Sequence, residues 1–253
     1  MDGLSTPRDV ARVRAASTQE SAALFGGLSN SREGTRLTDS ELPVVVGLRL
    51  GLEVAVPGVC ACGGQLDGLG DHALVCCHGV ERLRRHAELN SRLRDAFADA
   101  GFQAVLEPPG LAAQDGRRPD GITVAAFERG RPLAWDATVV HTCASSHLPY
   151  CSAAARAAAG AAEAAKDRKY ADLDGRVDFL PFGVETLGAF GAHALELVDA
   201  LVAISCDKGA RAAARSRILR RLGAAVQAGN ARRIIEAHSG DPRAARASHG
   251  GTR

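Results

Sequence analysis

The chain has 253 residues, 46% of them hydrophobic and 24% charged, with a formal net charge of +2. That balance excludes disorder throughout and gives length for one or two domains. Aromatic residues make up only 4%, so the core must be built from Leu, Val and Ala, which favours helices packed closely on a small sheet over an aromatic-rich β-sandwich.

In chain order, Thr6 and Pro7 open a helical region that runs to Leu28, and Glu41 to Leu52 reads as a second, short helix. The apolar run from Pro43 to Val56 is interrupted by Arg49 and Glu53 and falls short of the ~20 residues that span a bilayer, so no membrane partner is expected. The opening residues carry neither a basic segment nor an apolar one, so no secretory signal is read and an intracellular location is expected, nuclear in a eukaryotic host.

A cysteine cluster follows. Four of the seven cysteines, Cys60, Cys62, Cys76 and Cys77, share one short window, whereas Cys143, Cys151 and Cys206 are scattered. An odd count distributed in this way suits a metal site better than a disulfide framework. Cys60 and Cys62 sit on a Gly-rich turn, and if Asp71 caps a helix, His72 and Cys76 lie at i and i+4 on one face, completing a closed Cys₃His zinc knuckle. Cys77 and His78 are spare candidates, and the bland alternative is a set of buried free cysteines.

From Glu81 to Ala100, Leu83, His86, Asn90, Leu93 and Phe97 recur at helical spacing, and Gly101 stops the run. Three strand-like segments come next, Phe102 to Glu107, Gly121 to Phe127 and Pro132 to Val140, divided by Pro108-Pro109-Gly110 and Glu128-Arg129-Gly130. An Ala-rich helix over Ser152 to Leu173, a fourth strand over Val177 to Thr186 and two or three more helices complete the chain. The order helix, three strands, helix, strand is αβββαβ, an α/β architecture.

If Glu128, Arg129 and Gly130 form a three-residue hairpin loop, Phe127 pairs with Arg131 and Asp136 falls opposite Ile122. Asp120 and Asp136 then share one sheet face, a single diagonal apart, while Leu133, Trp135, Ala137 and Val139 face the core. Two carboxylates that close repel unless a cation lies between them, and their hard oxygens suit magnesium or manganese, with Glu107 as a third candidate ligand. The chain has three lysines against 28 arginines, and two of them, Lys166 and Lys169, stand together. A retained lysine suggests a compact ammonium beside an attacking water or a scissile phosphate. The bland alternatives are turn and edge-strand carboxylates and a solvated helix face.

From Lys208 to Arg253 there are 11 basic and 2 acidic residues, a balance of +9 that leaves −7 on the preceding chain. Arginines at that density, Arg217, Arg220 and Arg221 among them, can neutralise phosphates; a solvated helix face is the plain alternative.

The succession Cys60-x-Cys62-Gly, Gly70-Asp71-His72-Ala-Leu-x-Cys76, Arg85-His86-x-x-x-Asn90, Leu106-Glu107-Pro108, Arg118-Pro119-Asp120, Trp135-Asp136-x-Thr138, Lys166-x-x-Lys169-Tyr170 and Pro181-Phe182-x-x-Glu185-Thr186-Leu-Gly resembles the C-terminal part of non-LTR retrotransposon proteins. There a reverse transcriptase is followed by a CCHC zinc knuckle and a restriction-like endonuclease of the PD-(D/E)XK superfamily. The resemblance covers about Arg8 to His238. It implies a helical segment over 1–58, a zinc knuckle over 59–80, the endonuclease core over 81–206, basic C-terminal helices over 207–238 and a disordered tail over 239–253.

By the same resemblance the chain is a DNA endonuclease that nicks its target, with RNA as a further partner and a reverse transcriptase supplied elsewhere. Asp120 and Asp136 match the two metal-binding acids. Lys166 or Lys169 replaces the lysine usually found two positions after the second acid, where this chain has Thr138. Zinc is then structural and Mg²⁺ or Mn²⁺ catalytic, while Arg117, Arg118 and the basic C-terminus hold the backbone. No Asp-Asp pair occurs in the chain, so the polymerase centre itself is absent, which reads as a fragment or a relic. The rival readings are an inactive zinc-knuckle nucleic-acid-binding module and, from His86-Ala-Glu88, a zinc deaminase, which lacks its downstream Pro-Cys-x-x-Cys.

Overall fold

Thr6 caps the first helix, α1 (Pro7–Ala16): its hydroxyl accepts from the Asp9 amide, and Pro7 occupies the first turn, where no N–H is needed. The computed structural model describes residues 6–27, 31, 33–109, 111, 118–127, 130–173, 175 and 177–239. Thr18 caps a separate short helix, α2 (Gln19–Ala23), so the expected opening helical region is two helices with a corner between them. The next helix, α3 (Glu41–Leu50), ends at Gly51 in the left-handed conformation. Two short antiparallel strands, β1 (Gly58–Val59) and β2 (Gln65–Leu66), and the single turn of α4 (Asp71–Val75) form the cysteine-bearing segment.

The rest follows the expected order with one short helix, α6, added: α5 (Glu81–Asp99), β3 (Ala104–Leu106), β4 (Gly121–Thr123), β5 (Leu133–Val140), α6 (Leu148–Cys151), α7 (Ala157–Lys169), β6 (Asp178–Glu185), α8 (Ala192–Ser205) and α9 (Arg211–Ser239). The expected helix from Ser152 instead begins at Ala157, because Arg156 takes a left-handed φ of 66° after the short α6. The basic segment is one continuous helix, α9, and the tail from 240 onward lies outside the described residues.

The four main strands form one mixed sheet in the order β3-β4-β5-β6, antiparallel except for the parallel β5–β6 pair, so the chain is α/β. Alternation along β5 sends Leu133, Trp135 and Ala137 to a core shared with α5, α8 and α9, where the Trp135 ring stacks on Phe97 at 4.9 Å between centroids. Asp136 points to the opposite face, under α7. The alanines of α7 give that helix a smooth surface, and Ala158 and Ala159 are buried.

The β4–β5 register differs from the one the hairpin geometry predicts. Phe127 does pair with Arg131, through an amide bond of 2.8 Å, and Gly130 has the expected positive φ of 75°. Two extra residues then bulge on the β4 side, so Ile122 pairs with Ala134 and Gly121 with Trp135. Pro132, which has no N–H to give, interrupts the ladder there. The Thr123 hydroxyl bridges the gap, accepting from the Leu133 amide at 2.9 Å and donating to the Ala125 carbonyl at 2.7 Å. Asp136 is therefore not opposite Ile122; the register carries Asp120 to its level instead.

Candidate functional site

Cys60, Cys62, His72 and Cys76 converge, their ligand atoms all within 4.8 Å of one another. Two thiolates on a tetrahedral zinc stand about 3.8 Å apart and a thiolate and an imidazole about 3.6 Å; Cys60 and Cys76 Sγ are 3.8 Å apart, and Cys62 Sγ is 3.3 Å from His72 Nε2. The donor set could thus hold a zinc ion, and it is Cys76, at the C-terminal cap of α4, that completes it. Cys77 is exposed and outside the group. Asp71 does not cap α4. The Asp67 carboxylate does, accepting from the Asp71 and His72 amides at 3.0 and 2.7 Å, which fixes the backbone of the imidazole ligand.

Asp71 instead ties this segment to the sheet. Its carboxylate receives both an Nε and an Nη bond from Arg8, at 2.6 and 2.7 Å, and lies 3.0 Å from His141 Nε2, whose Nδ1 is 2.9 Å from the Thr186 hydroxyl. Burial pushes the Asp71 carboxyl up, but the hydrogen bonds from Arg8 and His141 outweigh it and hold the group below the usual carboxylate range.

The second constellation gathers at the middle of β5. Gly121 makes it possible: a Cβ there would lie 2.1 Å from the Trp135 ring, so only glycine lets Asp120 follow so closely on the paired strand. Asp120 Oδ2 accepts from the Ala137 amide at 2.7 Å, extending the ladder with a side chain, and lies 2.9 Å from His86 Nε2. Burial raises the Asp120 pKa, and the His86 and Ala137 hydrogen bonds more than reverse it, leaving the carboxyl below its ordinary value. His86 is pushed up, chiefly by its hydrogen bond to Asp120. Asn90, one turn on, links this pair to the core: it accepts from Trp135 Nε1 at 2.9 Å and stands 3.4 Å from the His86 ring.

Asp136 is buried at 3% exposure and would be unstable alone. Three groups of α7 and its end surround it: Lys166 Nζ at 2.5 Å from Oδ1, Lys169 Nζ at 3.3 Å from Oδ2, and the Tyr170 hydroxyl at 2.6 Å from Oδ2. The same hydroxyl is 2.6 Å from the Arg118 carbonyl and accepts from Lys169 at 2.8 Å. Tyr170 therefore fastens the Arg118-Pro119-Asp120 segment to α7 and to Asp136. Both lysines thus converge on Asp136 beneath α7, while the Asp120 side chain bonds to His86 of α5 and to the Ala137 amide.

Glu107 is less central. It has a φ of 48°, and its amide donates to the Asp120 carbonyl at 2.8 Å while its side chain is exposed. Among the described residues no second group of three His, Cys, Asp or Glu brings its ligand atoms as close as the knuckle does. Arg118 is exposed and Arg117 lies outside the described residues. On α9, Arg217 is exposed, whereas Arg220 pairs with Glu33 at 2.9 Å and Arg221 with Asp99 at 2.5 Å, so these two meet acids of the protein itself. Between α5 and the end of β5, next to the acids, lies a cleft of ≈ 240 Å³ lined by Arg82, Arg85, His86, Ala137, Thr138, Val139 and Lys166.

Tyr170 and Asp67 escaped the residue-by-residue reading. Tyr170 ended the Lys-x-x-Lys-Tyr string, so its place was visible and its role was not. No family model matches the chain, and no curated protein matches its sequence. Among the described residues no helix is long and apolar enough to cross a membrane.

Proposed function

We propose that the chain is a metal-dependent DNA endonuclease with a PD-(D/E)XK-like core, similar to the module downstream of the reverse transcriptase in non-LTR retrotransposon proteins. The observation that carries this reading is the Lys166 ammonium 2.5 Å from Asp136: where the motif's strand lysine is replaced by Thr138, α7 supplies an ammonium to the same acid. Asp120, just before β4, and Asp136 on β5 offer hard oxygens, the donor chemistry that Mg²⁺ or Mn²⁺ takes. A divalent cation there supplies Lewis-acid polarisation of a phosphoryl oxygen when bound. Lys166 and Lys169 orient a water for in-line attack and stabilise charge on the phosphoryl oxygens, while His86 and the Ala137 amide keep Asp120 ionised. The zinc knuckle stiffens a segment with little apolar mass of its own.

One observation favours a second reading. Both Asp136 oxygens already have cationic or hydroxyl partners, an arrangement equally suited to a scaffold that binds nucleic acid without cutting it. Nicking of supercoiled plasmid in Mg²⁺ or Mn²⁺, with wild type and Asp136→Ala at matched zinc content, separates the two. Nicking by wild type and its loss in the variant is the expected result. A wild-type protein that binds DNA, holds zinc and leaves the plasmid intact would replace the endonuclease by the binding module.

A further inference from the structure

Among the described residues Arg85 is a buried cation with no acidic partner. It is 4% exposed, and its one hydrogen-bond partner among the described residues is the neutral Asn230, whose Oδ1 accepts at 2.6 Å. The acids nearest in sequence are engaged elsewhere: Glu81 with Arg84 and Arg232, Glu88 with Arg232. The other charges that act on Arg85 are those of Arg233 and Arg82, both positive, and burial with their repulsion brings its pKa down to about 9. The fold nevertheless makes room for it, since a Cβ on Gly229 of α9 would lie 2.5 Å from Arg85 Cγ.

A guanidinium held in this way is costly unless something outside the chain compensates it, and Arg85 opens onto the cleft described above. Arg82 lies one turn before His86 on the same helix, is exposed and has no ion-pair partner among the described residues. Lys166 and the Thr138 side chain close the side nearest Asp136. An arginine fork, a second arginine at the rim, an ammonium and a hydroxyl around ≈ 240 Å³ match a tetrahedral oxyanion in size, charge and donor count.

We infer that this cleft is a phosphodiester site: Arg85 at its floor and Arg82 at its rim hold a backbone phosphate of a nucleic-acid strand beside Asp120 and Asp136. The nucleic-acid source of the phosphate rests on the endonuclease reading, whereas the anion site rests on the unbalanced charge of Arg85. Thermal melting in inorganic phosphate against chloride at equal ionic strength tests the anion site. Anisotropy of a labelled DNA duplex over a salt series, without divalent ions, tests the polymer, with a methylphosphonate duplex as the uncharged control.

Wild type is expected to melt higher in phosphate and Arg85→Met is not. Arg82→Ala and Arg85→Met are each expected to weaken duplex binding roughly tenfold and to lower the salt slope by about one, with little binding of the methylphosphonate duplex by any of the proteins. Stabilisation by phosphate with unchanged duplex affinity in both variants would overturn the nucleic-acid assignment and leave a free-phosphate site. No stabilisation by phosphate, with unchanged duplex affinity and slope, would overturn the site altogether. Arg82→Ala, on the exposed rim, carries the binding test if Arg85→Met fails to fold. Because binding is read without cleavage, the variant losses in a protein that never nicks would sink the endonuclease and keep the phosphodiester site, and nicking with unaltered binding would do the reverse.

Discussion

Asp120 and Asp136 show how neighbouring side chains of one type acquire different tasks from their surroundings. Asp136 is nearly sealed and held by two ammoniums and a phenol, whereas Asp120 answers to one histidine that is itself 41% exposed. The His86–Asp120 pair has a definite pH signature. The His86 pKa is raised from 6.5, so the stability it contributes is fully present below that value and is lost as pH rises through the higher folded value. Asp120 behaves as the mirror image, contributing above the ordinary 3.8 and losing its contribution as pH falls through the lowered folded value. Urea midpoints measured upward from pH 6.5 should fall for wild type relative to His86→Gln, and the loss should be small because the histidine is solvent-screened. Parallel curves for the two proteins would show that the pair carries no folding energy.

Elements were legible in the sequence where a period was clean. The αβββαβ order from α5 to β6 was readable because alternating apolar residues marked the strands and Asn90, Leu93 and Phe97 marked the inner face of α5, although Leu83, read with them, is exposed and Leu89 takes the inner place instead. Register was not, because it turned on Pro132 breaking the ladder and Thr123 repairing it, a local contest that hydrophobic pattern does not encode. The Cys₃His cluster was legible as chemistry and its cap was not: Asp67 precedes the helix and Asp71 opens it, and the long-range Arg8 and His141 contacts turn Asp71 away. Metal content gives this element its test. Cys60→Ser is expected to lose zinc and to release the segment from α9, read as faster hydrogen exchange over 58–76, while Cys77→Ser keeps one zinc per chain. Loss of metal from the Cys77 variant alone would reassign the fourth ligand. The lysine contacts lay beyond sequence reading altogether, since whether Lys166 or Lys169 reaches Asp136 depends on where α7 starts; both do.

At the scale of the whole molecule, the basic C-terminal segment and the acidic body largely answer each other. Arg232 alone meets Glu41 of α3 and Glu81 and Glu88 of α5, while Arg233 donates to the Ala73 and Cys76 carbonyls at the end of the knuckle helix. Apolar packing runs the same way. Ile218, Leu219, Leu222 and Val226 of α9 belong to the core beneath the sheet, and Ala224, Ala231 and Ile234 to a second core with α3, α4 and the residues after β6. The charge break at Lys208 read as a basic segment for phosphates or a solvated helix face; the packing makes α9 the element that joins both cores. A chain ending at Cys206 should therefore fail to fold cooperatively, because it exposes both apolar faces and leaves Glu41, Glu81 and Glu88 without Arg232. Far-ultraviolet circular dichroism and urea titration of that truncation against the full chain measure this directly. A sharp unfolding transition in the truncated protein, with the Trp135 environment intact by fluorescence, would make α9 an appendage to a core that stands without it.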